Sequence, residues 1–414
     1  MRAMKNVTVL STGNELLYGT TLDTNGSFIS GALFTLELHV GMHIVVGDDL
    51  DDLERALRHA LDLSDIIIMT GGLGPTDDDN TIEALRRIFG FSLHKDGPSR
   101  ERMASFLRNM GMPMSEADQK MVEVPDGVIV IPNNSGLAPG FIVHQNSKIV
   151  IALPGVPREM ADMMARSVMP FLEKECRIAA RAGVSYRLIG MKESDINESI
   201  KAMQLPLEQM DWGMTAKDGV TTVTFVARGG GELDAGSILA EARKRFGSRF
   251  LDPAFKLPEE EAVHLLREKR LTVSFAESCT GGLISKRITD IPGASDVFTG
   301  AVVAYDNRVK VCSLGVSEER LSSHGAVSAE VASDMAEGVR KSLKSDIGIS
   351  TTGIAGPGGG TEAKPVGTVW FALADSLGVK TFTMRISGDR ERVRMFASLI
   401  AIEFLRNYLR EYAV

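Results

Sequence analysis

Four consecutive apolar residues, Ile66, Ile67, Ile68 and Met69, run directly into a glycine-rich acidic segment: Thr70, Gly71, Gly72, Leu73, Gly74, Pro75, Thr76, Asp77, Asp78 and Asp79. An unbroken apolar run this short reads as a strand buried on both faces, as in a parallel sheet covered by helices on each side. Around it strand-like and helix-like runs alternate: strand 7–10, helix 25–37, strand 42–46, helix 48–63, and helix again from Thr81. In 48–63, Leu50, Leu53, Leu57, Ala60 and Leu61 form one apolar face, and acids crowd the first turn, where the helix dipole favours them. This alternation predicts a three-layer α/β domain whose ligand site lies in the loops beyond the C-terminal ends of the strands. Strands 128–131 and 149–153 extend the sheet, and helix 157–174 closes the unit.

A chain of 414 residues has room for two or three domains at about 150 residues each. Residues 175–252 read as a small α+β module, with strand 185–189, an alternating run at 219–227 and helix 235–246. It is read as a spacer or dimerisation element. Two prolines within 251–258 mark a linker. Beyond it, strands 271–275, 297–304, 347–351, 367–374 and 379–386 alternate with helices that include 259–268, 328–342 and 390–409. The expected fold is α/β: two three-layer α/β domains, 1–174 and 253–414, joined by the α+β module 175–252.

Bulk properties narrow the function. The net charge of −8 argues against nucleic-acid binding through a broad basic surface. Cys176, Cys279 and Cys312 form no CxxC pair, which fits a reducing compartment. The 7 histidines show neither HxH nor HExxH spacing, so neither a histidine metal site nor a Ser-His-Asp triad is indicated. No apolar run approaches the roughly 18 residues that span a bilayer, and the N-terminus lacks the core of a signal peptide. The expectation is a cytoplasmic protein without a membrane partner.

In the second α/β unit, Ala276, Glu277, Ser278, Cys279, Thr280, Gly281 and Gly282 follow an apolar strand and open a helix. Hydroxyls and glycines there offer backbone donors to a phosphate or to the oxyanion of acyl transfer. Further turns follow strands at 305–310 and 351–360, the latter glycine-rich and containing Gly356. Ser295 and Lys310 are candidates for a serine nucleophile and an amine base, provided that burial or nearby positive charge keeps the amine neutral. From residue type alone, Ser295 reads as a helix or turn cap sooner than a nucleophile, and Lys310 also reads as a surface lysine. Tyr305 is read as stacking on or hydrogen-bonding to a ring, or as a strand-end tyrosine. Cys279 is read as a packing residue sooner than a nucleophile. Arg390, Arg392 and Arg394 are read as not sharing a face, one of them binding phosphate.

The series 276–282, 292–298, 303–307 with Lys310, 314–316, 324–328 and 352–357 resembles the CinA C-terminal domain family, nicotinamide mononucleotide (NMN) amidohydrolases. The resemblance implies that Ser295 attacks the carboxamide, Lys310 activates it, and Tyr305, Thr352 and Arg392 complete the site. It puts Glu277, Ser278 and Thr280 in the pocket near phosphate or ribose, and it implies no metal. Asp306 departs from relatives that often carry serine there.

The first unit carries a second candidate site. Gly71, Gly72, Gly74 and Thr76 can cradle phosphate, and Asp77 and Asp78 could hold Mg²⁺ or a similar ion. The acidic triplet also reads as N-terminal charge on the next helix, capped by Asp79 or Asn80. Glu15 is a further ligand or base, and Asn25 a helix cap. Gly13 to Gly19 with Asn25, and the stretches 71–78, 132–141 and 153–160, resemble the molybdopterin-binding MoaB/MogA-like fold in its CinA N-terminal version. Asn14 and Val156 are mild departures. Two-domain CinA proteins are similar to enzymes that also split ADP-ribose into AMP and ribose 5-phosphate with a divalent metal. The alternative is a pterin- or nucleotide-binding module without turnover. The resemblance also implies a homodimer.

Overall fold

The apolar run at 66–69 is buried on both sides: Ile66 and Ile68 join one core cluster, Ile67 and Met69 another. The computed structural model describes residues 6–36, 38–145, 147–176, 183–228 and 231–412. Residue 37, the expected end of helix 25–37, and residues 177–182 of the expected module lie outside them. The chain forms two compact units, one within Met1–Ala182, the other within Gly183–Arg228 and Glu232–Val414.

The first unit begins with β1 (Asn6–Thr12), α1 (Asn14–Leu17), α2 (Thr24–Leu33), β2 (His39–Val46), α3 (Leu50–Leu63) and β3 (Ile66–Thr70). It continues through α4 (Thr81–Phe89), β4 (Leu93–Lys95), α5 (Gly97–Asn109), α6 (Glu116–Met121), β5 (Glu123–Pro125) and β6 (Ile129–Ile131). It ends with β7 (Gly140–Gln145), β8 (Lys148–Leu153), α7 (Pro157–Met163) and α8 (Met169–Cys176). The main sheet has the order β2-β1-β3-β8-β7-β6, parallel from β2 to β8 and antiparallel beyond. One face packs under α2, α7 and α8, the other under α3, α4 and α5. Parallel strands buried on both faces need such cover, which is why their sequence shows runs rather than alternation.

The second unit opens with β9 (Gly183–Ile189), α9 (Glu193–Lys201), β10 (Met210–Lys217), β11 (Val220–Ala227), α10 (Ala235–Phe246) and β12 (Phe250–Leu251). These strands form an antiparallel sheet in the order β10-β11-β9-β12. There follow α11 (Pro258–Lys269), β13 (Val273–Glu277), α12 (Leu283–Thr289), β14 (Phe298–Val303), α13 (Asn307–Leu314), α14 (Glu318–His324) and α15 (Ala329–Ser342). The chain closes with β15 (Ile347–Gly353), β16 (Thr368–Ala374), β17 (Val379–Arg385) and α16 (Arg390–Glu411). This sheet runs β14-β13-β15-β16-β17, with β14, β13 and β15 parallel and β16 and β17 antiparallel. Helices α11, α12 and α16 cover one face, and α13 and α15 the other. The antiparallel edge is what the α/β pattern alone did not reveal.

Arg406 joins the small sheet to α16. It is fully buried, donating to the carbonyls of Ser248 at 2.5 Å and Phe250 at 3.2 Å and to the carboxylates of Glu261 at 3.0 Å and Glu403 at 3.4 Å. Arg249 also reaches Glu403, at 2.7 Å. Among the described residues, no helix is long and apolar enough to cross a membrane.

Candidate active sites

In the second unit, the turns after β13, β14 and β15 gather at the C-terminal edge of the parallel strands. Ser278 is half-buried there, its N–H donating to Thr351 O at 2.9 Å. Gly281 and Gly282 take left-handed φ of 60° and 93°, which a side chain would resist. Lys310, in α13, is 1% exposed. Its Nζ donates to Ala304 O at 2.9 Å and Tyr305 O at 3.4 Å. Burial holds its pKa below the ordinary lysine value, although Asp306 pulls the other way. Asp306 caps α13 through Arg308 N at 2.8 Å, and the Arg308 side chain holds its carboxyl below the usual range. Burial pushes the Cys279 thiol up to about 12, so it stays protonated and inert.

Ser295 stands elsewhere. It is exposed in the short turn Ala294–Asp296 before β14, where Arg267 reaches Asp296 at 3.2 Å. Val297 O bonds to the N–H of Val273, the first residue of β13, whereas Ala304 N bonds to the carbonyl of Glu277, its last. Ser295 and Lys310 therefore flank opposite ends of the 6-residue strand β14, roughly 17 Å of rise apart at about 3.3 Å per residue. Within one chain the Ser295–Lys310 pair of the sequence reading is not assembled. Ser278 follows Glu277, whose carbonyl accepts from Ala304 N, and the carbonyl of Ala304 accepts from Lys310 Nζ.

Other expected contacts are corrected too. Glu277 is fully buried and caps α12, accepting from Gly282 N at 2.9 Å, Ile284 N at 3.1 Å, Ser285 N at 2.9 Å and Ser285 Oγ at 2.6 Å. It shapes the turn and has no oxygen to spare for a ligand. Thr280 is equally buried, its hydroxyl 2.8 Å from that of Thr351. Thr352 gives its hydroxyl to Ala326 O at 2.7 Å. Arg392 turns away, its guanidinium 4.8 Å from the centre of the Phe396 ring. The arginines that reach the site are its neighbours. Arg390 donates to the hydroxyl of the exposed Tyr305 at 2.8 Å and to Gly356 O at 2.9 Å. Arg394 donates to Thr280 O at 2.9 Å. An i, i+4 pair shares one helix face, so the sequence held this signal, and the expectation of a single phosphate-binding arginine on an unshared face is corrected to the pair Arg390 and Arg394.

In the first unit, a cleft of about 530 Å³ opens at the C-terminal ends of the parallel strands, lined by Gly13, Glu15, Gly71, Gly72, Gly74, Thr76 and Asp78 among others. Gly71 has φ 106°, and a Cβ there would meet Thr12 O at 2.5 Å, so only glycine lets these loops approach. Thr76 is tied by its N–H and hydroxyl to Asp79 at 2.8 and 2.6 Å. Asp77 is exposed but not among the lining residues. Asn25 does not cap α2; Asp23 does, accepting from Gly26 N at 2.8 Å. Asn25 instead lies buried and donates to Thr70 Oγ1 at 2.9 Å and Gly155 O at 2.8 Å, pinning two loops of the cleft. Among the described residues, no three His, Cys, Asp or Glu side chains converge as a ready-made metal cage.

Two family models match the chain: a probable molybdopterin binding domain over residues 8–174 and the CinA C-terminal domain over residues 256–409. A putative competence-damage inducible protein of Acetivibrio thermocellus is 39% identical over 410 residues, 98% of each chain. A CinA-like protein of Dictyoglomus turgidum is 39% identical over 409 residues, 97% of this chain and 98% of the relative. Among solved structures, the competence/damage inducible protein of Agrobacterium tumefaciens is 38% identical, covering 38% of this chain and 98% of its own, with a TM-score of 0.36.

Proposed function

The chain belongs to the CinA family, and from that premise we propose that its C-terminal unit hydrolyses the carboxamide of NMN to nicotinic acid mononucleotide and ammonia. Lys310 carries this reading: a buried amine, held by two main-chain carbonyls, on the strand edge where Ser278 stands. An amine accepts a proton only when uncharged, and burial favours that form. Ser278 Oγ attacks the carboxamide carbon while Lys310 takes its proton. The tetrahedral intermediate collapses and ammonia leaves with that proton. Water then cleaves the acyl ester and restores the hydroxyl. Arg390 and Arg394 supply positive charge for the substrate phosphate, and exposed Tyr305 offers a ring face to the pyridine.

These steps call for no metal, so a chelator should leave ammonia release unchanged. Ser278→Ala should lower kcat by at least about 10³-fold, whereas Ser295→Ala should stay within a few-fold of the parent enzyme in an ammonia assay. The reverse pattern would return the nucleophile to Ser295 and require a second copy of the chain to bring it.

For the N-terminal cleft we infer hydrolysis of ADP-ribose to AMP and ribose 5-phosphate. Its size suits a nucleotide and its glycine floor suits phosphate. Mg²⁺ is commonly held by one or two carboxylates together with substrate phosphates rather than by a protein cage. Asp78 and Glu15 in the cleft, with Asp77 beside it, fit that mode. The ion would neutralise pyrophosphate charge. The match of residues 8–174 to a probable molybdopterin binding domain favours a second reading, nucleotide or pterin binding without turnover. AMP release measured with Mg²⁺ decides between them. Release that falls at least tenfold on Asp78→Asn and stops with chelator supports hydrolysis; no release by the parent protein supports the binding module.

A further inference from the structure

A second cleft in the C-terminal unit, about 610 Å³, lies between the small antiparallel sheet and the helices α11, α12 and α16. Its lining has an excess of cations: Arg187, Lys217, Lys256, Lys286 and Arg287 against Asp218 and Glu259. That excess is notable in a chain of net charge −8. Strand register explains one wall. Arg187 pairs with Thr222, Thr222 with Thr215, and Lys217 with Val220, so the period of two sets these residues on one face of the sheet. The opposite face, through Tyr186, Leu188, Val223 and Phe225, fills the module's core. The sheet wall therefore presents two cations and two hydroxyls.

Lys286 pairs with Asp290 at 2.6 Å and Arg287 with Glu259. Arg187, Lys217 and Lys256 have no carboxylate partner among the described residues. Three unpaired cations around a cavity are a phosphate-attracting arrangement, because concave walls of one sign concentrate counter-ions. A second observation points to the rest of the ligand. Glu259 is 3% exposed, and its Oε2 has no hydrogen-bond partner although Oε1 is taken by Arg287. That oxygen is sealed from solvent as the side chain stands, so a ligand hydroxyl or amino group satisfies it once the Glu259 carboxylate turns toward the cleft it lines, and the cost of a buried carboxylate oxygen without a donor favours that turn. Leu257, Leu283 and Met395 add an apolar patch on which a ring can rest.

We propose that this cleft binds a nucleoside diphosphate-like anion, with its phosphates at Arg187, Lys217 and Lys256 and a sugar or base donor at Glu259. Equilibrium dialysis of the whole chain against ADP, with chelator present, tests this. The variant Arg187→Gln/Lys217→Gln/Lys256→Gln is compared with a charge-matched control, Lys174→Gln/Lys244→Gln/Arg245→Gln. The expected result is one fewer equivalent of ADP bound by the first variant, or at least a tenfold weaker Kd for that equivalent, with unchanged thermal unfolding. Inorganic pyrophosphate should bind the parent protein at least tenfold more weakly than ADP. Equal ADP binding by the two variants would overturn the site, and pyrophosphate bound as tightly as ADP would overturn its nucleotide character. The readout is binding alone, so neither outcome depends on the amidase reading.

Discussion

Lys310→Met should cut ammonia release from NMN by about 10²–10⁴-fold in kcat, the usual contribution of a positioned base. Methionine keeps the length of the side chain, so the loss is chemical rather than a cavity effect. The pH profile gives the sharper signature. Burial lowers the pKa of Lys310, and only the neutral amine can take the serine proton. The rate of the parent enzyme should therefore rise with pH through that lowered pKa, and the rise should vanish in Lys310→Met. Asp306 pulls the Lys310 pKa upward. Asp306→Ser removes this charge while keeping a cap for α13, so the rise should move to lower pH. A profile of unchanged shape in Lys310→Met would remove the amine from the chemistry.

The largest structural effect should come from Arg406→Met. Removing the guanidinium leaves the carboxylates of Glu261 and Glu403 buried and short of a cation, along with the carbonyls of Ser248 and Phe250. Breaking a buried ion pair from one side costs about 3–5 kcal/mol. Denaturant unfolding at neutral pH should report a loss of that size. Burial already raises the pKa of Glu403, against the pull of Arg249 and Arg406. Loss of Arg406 raises it further. A carboxyl whose folded pKa lies above its unfolded value stabilises the fold below the unfolded pKa and loses that contribution as pH rises through the folded one. The deficit of Arg406→Met should accordingly be greatest at neutral pH and shrink as pH falls. A deficit independent of pH would mean that packing, not charge, holds this junction.

The layering was legible because parallel strands buried on two sides must read as apolar runs, and 66–69 does. The glycine loops that build both clefts were legible for the same kind of reason: Gly71 and Gly281 occupy places where a Cβ would clash or the backbone is left-handed. The pairing of Ser295 with Lys310 within one chain was not read correctly, although the information was present. Ser295 precedes the strand 297–304 of the sequence reading and Lys310 follows it, and residues on either side of a strand stand a strand's length apart. Motif order along the chain is not proximity in the fold. The roles of Glu277 and Asn25 were out of reach for a different reason. A carboxylate or amide beside a glycine-rich turn looks alike from sequence whether it faces a ligand or the backbone, and only burial and partners separate the two.

Glu277 ends β13 and also gathers the first N–H groups of α12, so strand, turn and helix are fastened at one point. The segment bearing Ser278 is thus arranged before any small molecule arrives. Its conformational freedom was surrendered when the chain folded, and each encounter begins with a finished receptor rather than one that must be shaped by its guest.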